Sequence, residues 1–356
     1  MLTALDHQHQ LILATDASRA THYYCPGCRH AVTLRKGQRV VAHFAHQPGN
    51  RCNVTTESES QQHLTGKWQL ARFFKHDEVR LEPYLSDIQQ RPDLLLIQPG
   101  KRVAIEFQCS PLSPSKLAAR NAGYQKLNVT PVWVLGDYYF QHMKSQSQVA
   151  LFANWSRKWG WYLLFWHTQT ARMELWSQLK IDLLGRIGYQ RYQLTAAGES
   201  RFIESRALCF DVWQIKQLRQ QITYGLRFRT HKYMKWQNFC YMHNCLLQTI
   251  PNCCFEHAIV PPLFGDSIAI LRYCLLILIS DLGQQSVFSL QDVWEMVAEL
   301  GQLVPVGQFA NCNQRVVRNQ LQLVLEAWLQ TLTVAGYLQP LTHDTWQVTR
   351  QFITDP

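Results

Sequence analysis

The stretch "RPDLLLIQPGKRVAIEFQCS", residues 91 to 110, constrains this chain more than any other. Two apolar runs flank Pro99-Gly100, and that dipeptide reverses a chain because proline presets one turn dihedral while glycine accepts the positive one that follows. Two paired strands are therefore expected, with Asp93 at the start of the first and Glu106 at the end of the second. Alternate strand residues share a face, so Gln108 is expected beside Glu106. A hard divalent cation takes oxygen ligands and needs only one or two carboxylates, and Asp93 and Glu106 meet that need for Mg2+ or Mn2+. Such a cation is what phosphodiester hydrolysis near neutral pH requires.

The flanks extend the pattern. "TTESESQQHLTGKWQLARFFKH" offers Thr and Ser caps and then Leu64, Trp68, Ala71 and Phe74 at helical spacing. "EVRLEPYL" alternates as a strand does. Ser113-Pro114 opens a second helix, which Pro131 is expected to end, and "VWVLG" reads as a short buried strand. The resulting order, helix, three strands, helix, strand, is the core order of restriction-endonuclease-like α/β nucleases. Glu59, His63 and Lys67 recur every four residues, as do Lys116, Arg120 and Tyr124, so each helix is expected to turn a polar stripe to the hairpin. A solvated helix face would carry the same spacing.

Upstream, "CPGC" at 25 to 28 directs two thiols to one point, and His43, His46 and Cys52 follow. Zinc takes four nitrogen or sulfur ligands, and a small segment gains folding energy from it. Cys25 and Cys28 form the secure half; His43, then Cys52, then His46 are preferred for the rest. "AVTLRKGQRVVAHF" between them reads as a hairpin, giving a zinc-ribbon-like module whose Arg29, Arg35, Lys36 and Arg39 form a basic face. Redox chemistry is disfavoured, because a redox C-x-x-C opens a helix. The count of 11 cysteines is odd and the spacing irregular, which argues against a secreted disulfide scaffold.

A net charge of +10 favours a polyanionic partner. Between Val212 and Phe255 there is no Asp or Glu, while Lys216, Arg219, Arg227, Arg229, Lys232 and Lys235 alternate with Trp213, Tyr224, Phe228, Tyr233 and Trp236. That mixture suits single-stranded nucleic acid, and it equally suits a basic helix packed on a core. Cys240, His243, Cys245, Cys253, Cys254 and His257 match no metal-binding spacing. After Pro261 helical periodicity dominates, with an end expected to resemble a winged helix. The start lacks a secretory pattern and the run "YCLLILIS" is too short to span a bilayer, so a cytoplasmic protein without a membrane partner is expected. Three domains are read: 1–53, the zinc-ribbon-like module; 54–140, the nuclease-like domain; and 141–356, a mostly helical region for DNA or a partner.

The runs "ESESQQHLTGK", "RPDLLL", "AIEFQCSPLS" and "RNAGY", with "YYCPGC" and "HFAH" before them, resemble the competence protein CoiA family over roughly residues 1 to 140. The resemblance implies a PD-(D/E)xK nuclease fold, DNA as substrate and a role in natural transformation or in recombination of incoming DNA, alongside recombination proteins. It implies Glu59 as the acid on the first helix, Asp93 as the central ligand and Glu106 as the second. Gln108 stands where the wider fold has lysine. A neutral amide cannot supply cationic charge, which Lys67 or Arg120, or else Lys116, is expected to provide. His63 and Lys116 are expected to border the phosphate path. Two other readings stay open: a non-catalytic DNA-binding recombination accessory on a degenerate nuclease scaffold, and an enzyme acting on RNA.

Overall fold

A computed structural model of the chain describes residues 1–38, 40–47, 52, 59–143, 145–301 and 311–350. Arg39 and the expected boundary at residues 53 and 54 lie outside the described residues. Two compact units emerge, one of residues 1–143, 163–176 and 191–204, the other of 144–162, 177–190 and 205–356.

The first unit opens with five short strands, β1 (Thr3–Leu5), β2 (Leu11–Leu13), β3 (Tyr23–Tyr24), β4 (Ala31–Gly37) and β5 (Val40–His46), in the sheet order β2-β1-β3-β4-β5. Its small core gathers Met1, Ala4, Tyr23, Cys25, Val32, Phe44 and Cys52. Helix α1 (Gln61–Phe73) follows, then β6 (Glu78–Leu81), β7 (Leu94–Gln98), β8 (Lys101–Gln108), helix α2 (Pro114–Lys126), β9 (Val129–Leu135) and the short helix α3 (Asp137–His142). This is the expected order of helix, three strands, helix, strand. Beyond it come helix α4 (Gln146–Phe152) and strands β10 (Asn154–Ser156), β11 (Gly160–His167), β12 (Arg172–Ile181), β13 (Ile187–Leu194) and β14 (Ser200–Arg206). Residues 141–356 were expected to be mostly helical, and here the structure differs. Runs such as "GWYLLFWH" and "RMELWSQLKI" are rich in aromatic and aliphatic residues, and they extend the sheet to the order β14-β13-β12-β11-β9-β8-β7-β6.

The hairpin forms as the turn chemistry requires. Gln98 pairs with Lys101 across Pro99-Gly100, and Gly100 takes φ +69°. β8 and β9 then run parallel, joined by α2. Pro131 lies inside β9 rather than at the helix end, since α2 stops at Lys126 and Asn128 reverses the chain at φ +54°. The proline is tolerated because β11 pairs with β9 only at Val134 and Leu135. The two sheet faces take different helices. Leu94, Leu96, Ile105 and Phe107 pack with Leu70 of α1, whereas Leu95 and Ala104 pack with Tyr124 of α2.

In the second unit, α5 (Val212–Arg227) and α6 (His231–Met242) precede α7 (Ile268–Asp281), which is apolar almost all round and accordingly buried. The chain then runs through β15 (Val287–Ser289), α8 (Leu290–Leu300), α9 (Gln314–Val334), β16 (Leu338–Pro340) and β17 (Thr345–Val348). Among the described residues that is the element order of a winged helix, with a sheet β15-β17-β16. No helix among the described residues is long and apolar enough to cross a membrane.

Candidate active site

Helix α1 begins later than its spacing suggests. Ser60 is the N-cap, in extended backbone and accepting a 3.2 Å bond from the His63 amide, so Glu59 stands just outside the helix rather than on its face. Its carboxylate still turns inward, 2.5 Å from Lys67 Nζ and 3.9 Å from His63 Nδ1. Gly66 lets the helix approach β8 closely, since a Cβ there would lie 2.0 Å from the Phe107 ring. His63 stacks on that same ring, at 5.9 Å between centroids. Beside Gly66 on the helix, Gln62 donates to Asp137 (2.8 Å) and Gln69 to the Thr168 carbonyl (2.9 Å), which fixes the rotation of α1.

Asp93 receives these groups. His63 Nε2 lies 3.1 Å from Asp93 Oδ2, Lys67 Nζ lies 3.6 Å from Asp93 Oδ1, and the Phe107 amide donates to Asp93 Oδ2 at 2.8 Å. One ligand atom each from Glu59, His63 and Asp93 falls within 4.8 Å of the others, so this acidic cluster could hold a metal ion. Burial opposes the charge on Asp93, but His63 and Lys67 outweigh it and hold the carboxyl well below the usual carboxylate range. Burial likewise opposes the charge on Glu59, and Lys67 and the Met1 amino group overcome it and lower the carboxyl. His63 is raised: burial works against its charge, and Asp93 more than compensates.

Glu106 goes elsewhere. Strand register places it opposite Asp93, because Leu94 pairs with Ile105. Asp93, however, precedes β7 and escapes its alternation, tipping toward α1 over the Phe107 amide. Glu106 lies within β8 and obeys alternation, sharing the Ala104 face toward α2. There Arg120 and the Tyr124 hydroxyl both donate to it. Arg120 also donates to the Arg91 carbonyl at 3.2 Å. Burial, reinforced by the Asp93 charge, pushes the Glu106 carboxyl up against the pull of Arg120 and Tyr124. Glu106 is thus held by Arg120 and Tyr124, while the ligand atoms gathered within 4.8 Å around Asp93 come from Glu59 and His63.

Gln108 also stays out of the cluster, its amide donating to the Ser110 carbonyl at 2.7 Å. Lys67, entirely buried, is the amine that does reach the acids, in contact with Glu59 and Glu82. Lys116 is exposed on α2. Sequence reading missed Glu82. At 1% exposure it contacts Lys67 and accepts from the Leu2 amide at 2.8 Å and the Thr3 amide at 3.2 Å. Burial disfavours its charge, yet Lys67 and Arg91 lower it to about 2. Its one local signal is position: it follows the strand "EVRL" in a left-handed conformation, φ +46°, that no side-chain pattern announces.

The Cys/His module resolves its ambiguity. Cys25, Cys28, His46 and Cys52 bring ligand atoms within 4.8 Å of one another, with Cys28 Sγ 3.3 Å from His46 Nε2 and Cys25 Sγ 4.0 Å from Cys52 Sγ. His46 rather than His43 belongs to this set. The two lie three residues apart on β5 and so face opposite sides, and His43 Nδ1 sits 2.8 Å from the Val41 carbonyl. Burial, with the neighbouring thiols, pushes the Cys28 thiol up to about 11, and burial pushes His46 down.

In the second unit, Arg227, Arg229 and Lys232 are exposed, whereas Lys235 lies 2.9 Å from Asp266. Tyr233 and Trp236 are buried.

The sequence matches two known domains. Residues 59–189 match the nuclease-like domain of competence protein CoiA, and residues 6–55 its N-terminal domain. Over 116 residues the chain is 33% identical to "Competence protein CoiA" of Bacillus subtilis (strain 168), a match covering 32% of this chain and 31% of that protein. No solved structure matches. With both domains in order and the helix–hairpin–helix–strand core around Asp93, the chain belongs to the competence protein CoiA family.

Proposed function

We propose that the protein is a metal-dependent DNA nuclease acting on incoming DNA during natural transformation or recombination. The observation that carries this reading is the convergence of Glu59, His63 and Asp93 with Lys67 at 3.6 Å from Asp93. Two carboxylates held ionised and one imidazole suit a divalent cation, and the nitrogen ligand favours manganese over magnesium. Bound there, the cation supplies charge stabilisation at phosphate and a more acidic water. Lys67 keeps a cation beside the reacting phosphate in the role Gln108 cannot fill. Arg120, 29% exposed at its side chain, can turn its guanidinium to a phosphate oxygen while anchored on Glu106. Cys25, Cys28, His46 and Cys52 have the donor chemistry of a closed structural zinc site.

The test is a panel of single- and double-stranded DNA and RNA, incubated with and without Mn2+ or Mg2+. Cleavage of DNA that needs the metal and disappears in Asp93→Asn and His63→Ala supports the reading; undiminished cleavage by those variants sinks it. The accessory reading draws on a separate observation, the engagement of Glu106 by Arg120 and Tyr124. It predicts DNA binding with no turnover at any metal concentration.

A further inference from the structure

Helix α5 is amphipathic in an unusual sense. Its inner face, Leu218 and Ile222, is buried, while its outer face leaves large aromatics in water: Trp213 is 53% exposed, Tyr224 65% and, at the C-cap, Phe228 58%. Single exposed apolar residues are ordinary, but three large aromatic rings presented by one helix and its cap form a pattern. They are not one greasy patch. Lys216, Gln220 and Arg227 separate them at helical spacing, and Trp213 and Tyr224 stand about 16 Å apart along the axis at ~1.5 Å per residue. Tyr224 and Phe228 lie against each other at 4.4 Å between centroids, with the Arg227 guanidinium 5.9 Å from the Phe228 ring. Exposed Arg229 continues the charge past the helix end.

Charge selects among partners. No Asp or Glu occurs from Val212 to Phe255, and Asp211 just before them is engaged as the helix cap, accepting from the Gln214 amide, so the segment has little negative charge to offer a basic protein. The interspersed cations and amides give a membrane no continuous apolar stripe, since the aliphatic side of the helix is already turned into the unit. Flat π-faces alternating with cations are what an unstacked, polyanionic strand binds: bases stack on the rings and phosphates take the charges. Tyr233 and Trp236, buried in α6, cannot take part.

We propose that the outer face of α5, with Trp213, Tyr224 and Phe228 as stacking platforms and Lys216, Arg227 and Arg229 as phosphate contacts, binds single-stranded nucleic acid. This face lies outside the two family-matched segments, and its binding needs neither metal nor cleavage.

The experiment uses the full chain in EDTA with a fluorescent 20-nucleotide oligo(dT), a duplex of equal length, and polyglutamate as competitor. Binding should favour the single strand, weaken with salt and quench indole emission, the quench disappearing in Trp213→Phe. Tyr224→Ala/Phe228→Ala should lose roughly tenfold or more in affinity for oligo(dT), while Tyr224→Phe stays near wild type. Lys216→Gln/Arg227→Gln should weaken binding and flatten its salt dependence. These side chains are exposed, and unchanged melting of each variant checks folding. The proposal is overturned if oligo(dT) does not bind, if the aromatic double variant binds it as wild type does, or if polyglutamate displaces it as well as unlabelled oligo(dT), which would mark an acidic protein surface as the partner. Because no divalent cation is present, the outcome is independent of whether the Asp93 centre cleaves.

Discussion

Lys67 on α1 contacts Glu59 and Glu82 and lies 3.6 Å from Asp93, a single fully buried ammonium serving three carboxylates. Removing it strands buried negative charge. Lys67→Met should therefore destabilise the protein by about 3–5 kcal/mol. Urea denaturation of the two proteins checks this, and a difference under 1 kcal/mol would contradict it.

The same geometry leaves Gln108 apart from Lys67 and its carboxylates. Its amide bonds to Ser110, away from the acids. Gln108→Ala should leave metal-dependent cleavage within a few-fold of wild type. Asp93→Asn should lower it about 100-fold or more, as removal of a group acting on developing charge does. Initial rates on one substrate under saturating Mn2+ separate the two cases.

In the Cys/His module the structure discriminates between two histidines. His46→Ala should lose most bound zinc after purification and expose the fold to chelators, whereas His43→Ala should retain it. Elemental analysis of both proteins decides, and equal zinc contents would refute the assignment of His46.

Gly66 should tolerate no side chain. Gly66→Ala drives a methyl into Phe107 and should cost about 1–3 kcal/mol, despite alanine's better helix propensity. Phe107→Leu in the same chain should recover part of the loss. Additive losses in a double-mutant cycle would show that the clash lies elsewhere.

His167 sits between Glu174, in ion-pair contact at 3.4 Å, and Asp137, 2.9 Å from its Nδ1, and these carboxylates, Glu174 foremost, raise its pKa above the ordinary 6.5 despite partial burial. The folded state therefore holds this proton more tightly than the unfolded chain. Its contribution is complete below about pH 6.5 and fades as pH rises through the raised folded value. The melting-temperature gap between wild type and His167→Gln should be largest near pH 6 and shrink toward alkaline pH. A gap that widens with pH would reverse the sign argued here.

Much of the fold was legible because it rests on local rules. Pro99-Gly100 sets a turn, Ser113-Pro114 starts a helix, and period-two apolar runs make strands. The strands from 154 to 206 were not read, since short runs such as "GWYLLFWH" fit a buried helix as well as a strand until their partners are known. The acids were legible as residue types, but not their grouping. Sequence by itself determined that Asp93 and Glu106 stand opposite in register, that Lys67 shares a helix face with His63, and that two thiols meet at Cys25 and Cys28. Only the tertiary structure decided that Asp93, one residue beyond its strand, turns to α1 while Glu106 turns to α2, that Glu82 arrives from a left-handed residue, and that His46 faces the thiols. The reason is physical: alternation and helical period fix directions within an element, whereas a carboxylate at an element's end goes where a distant cation or amide lowers its energy, and that partner is known only once the elements pack.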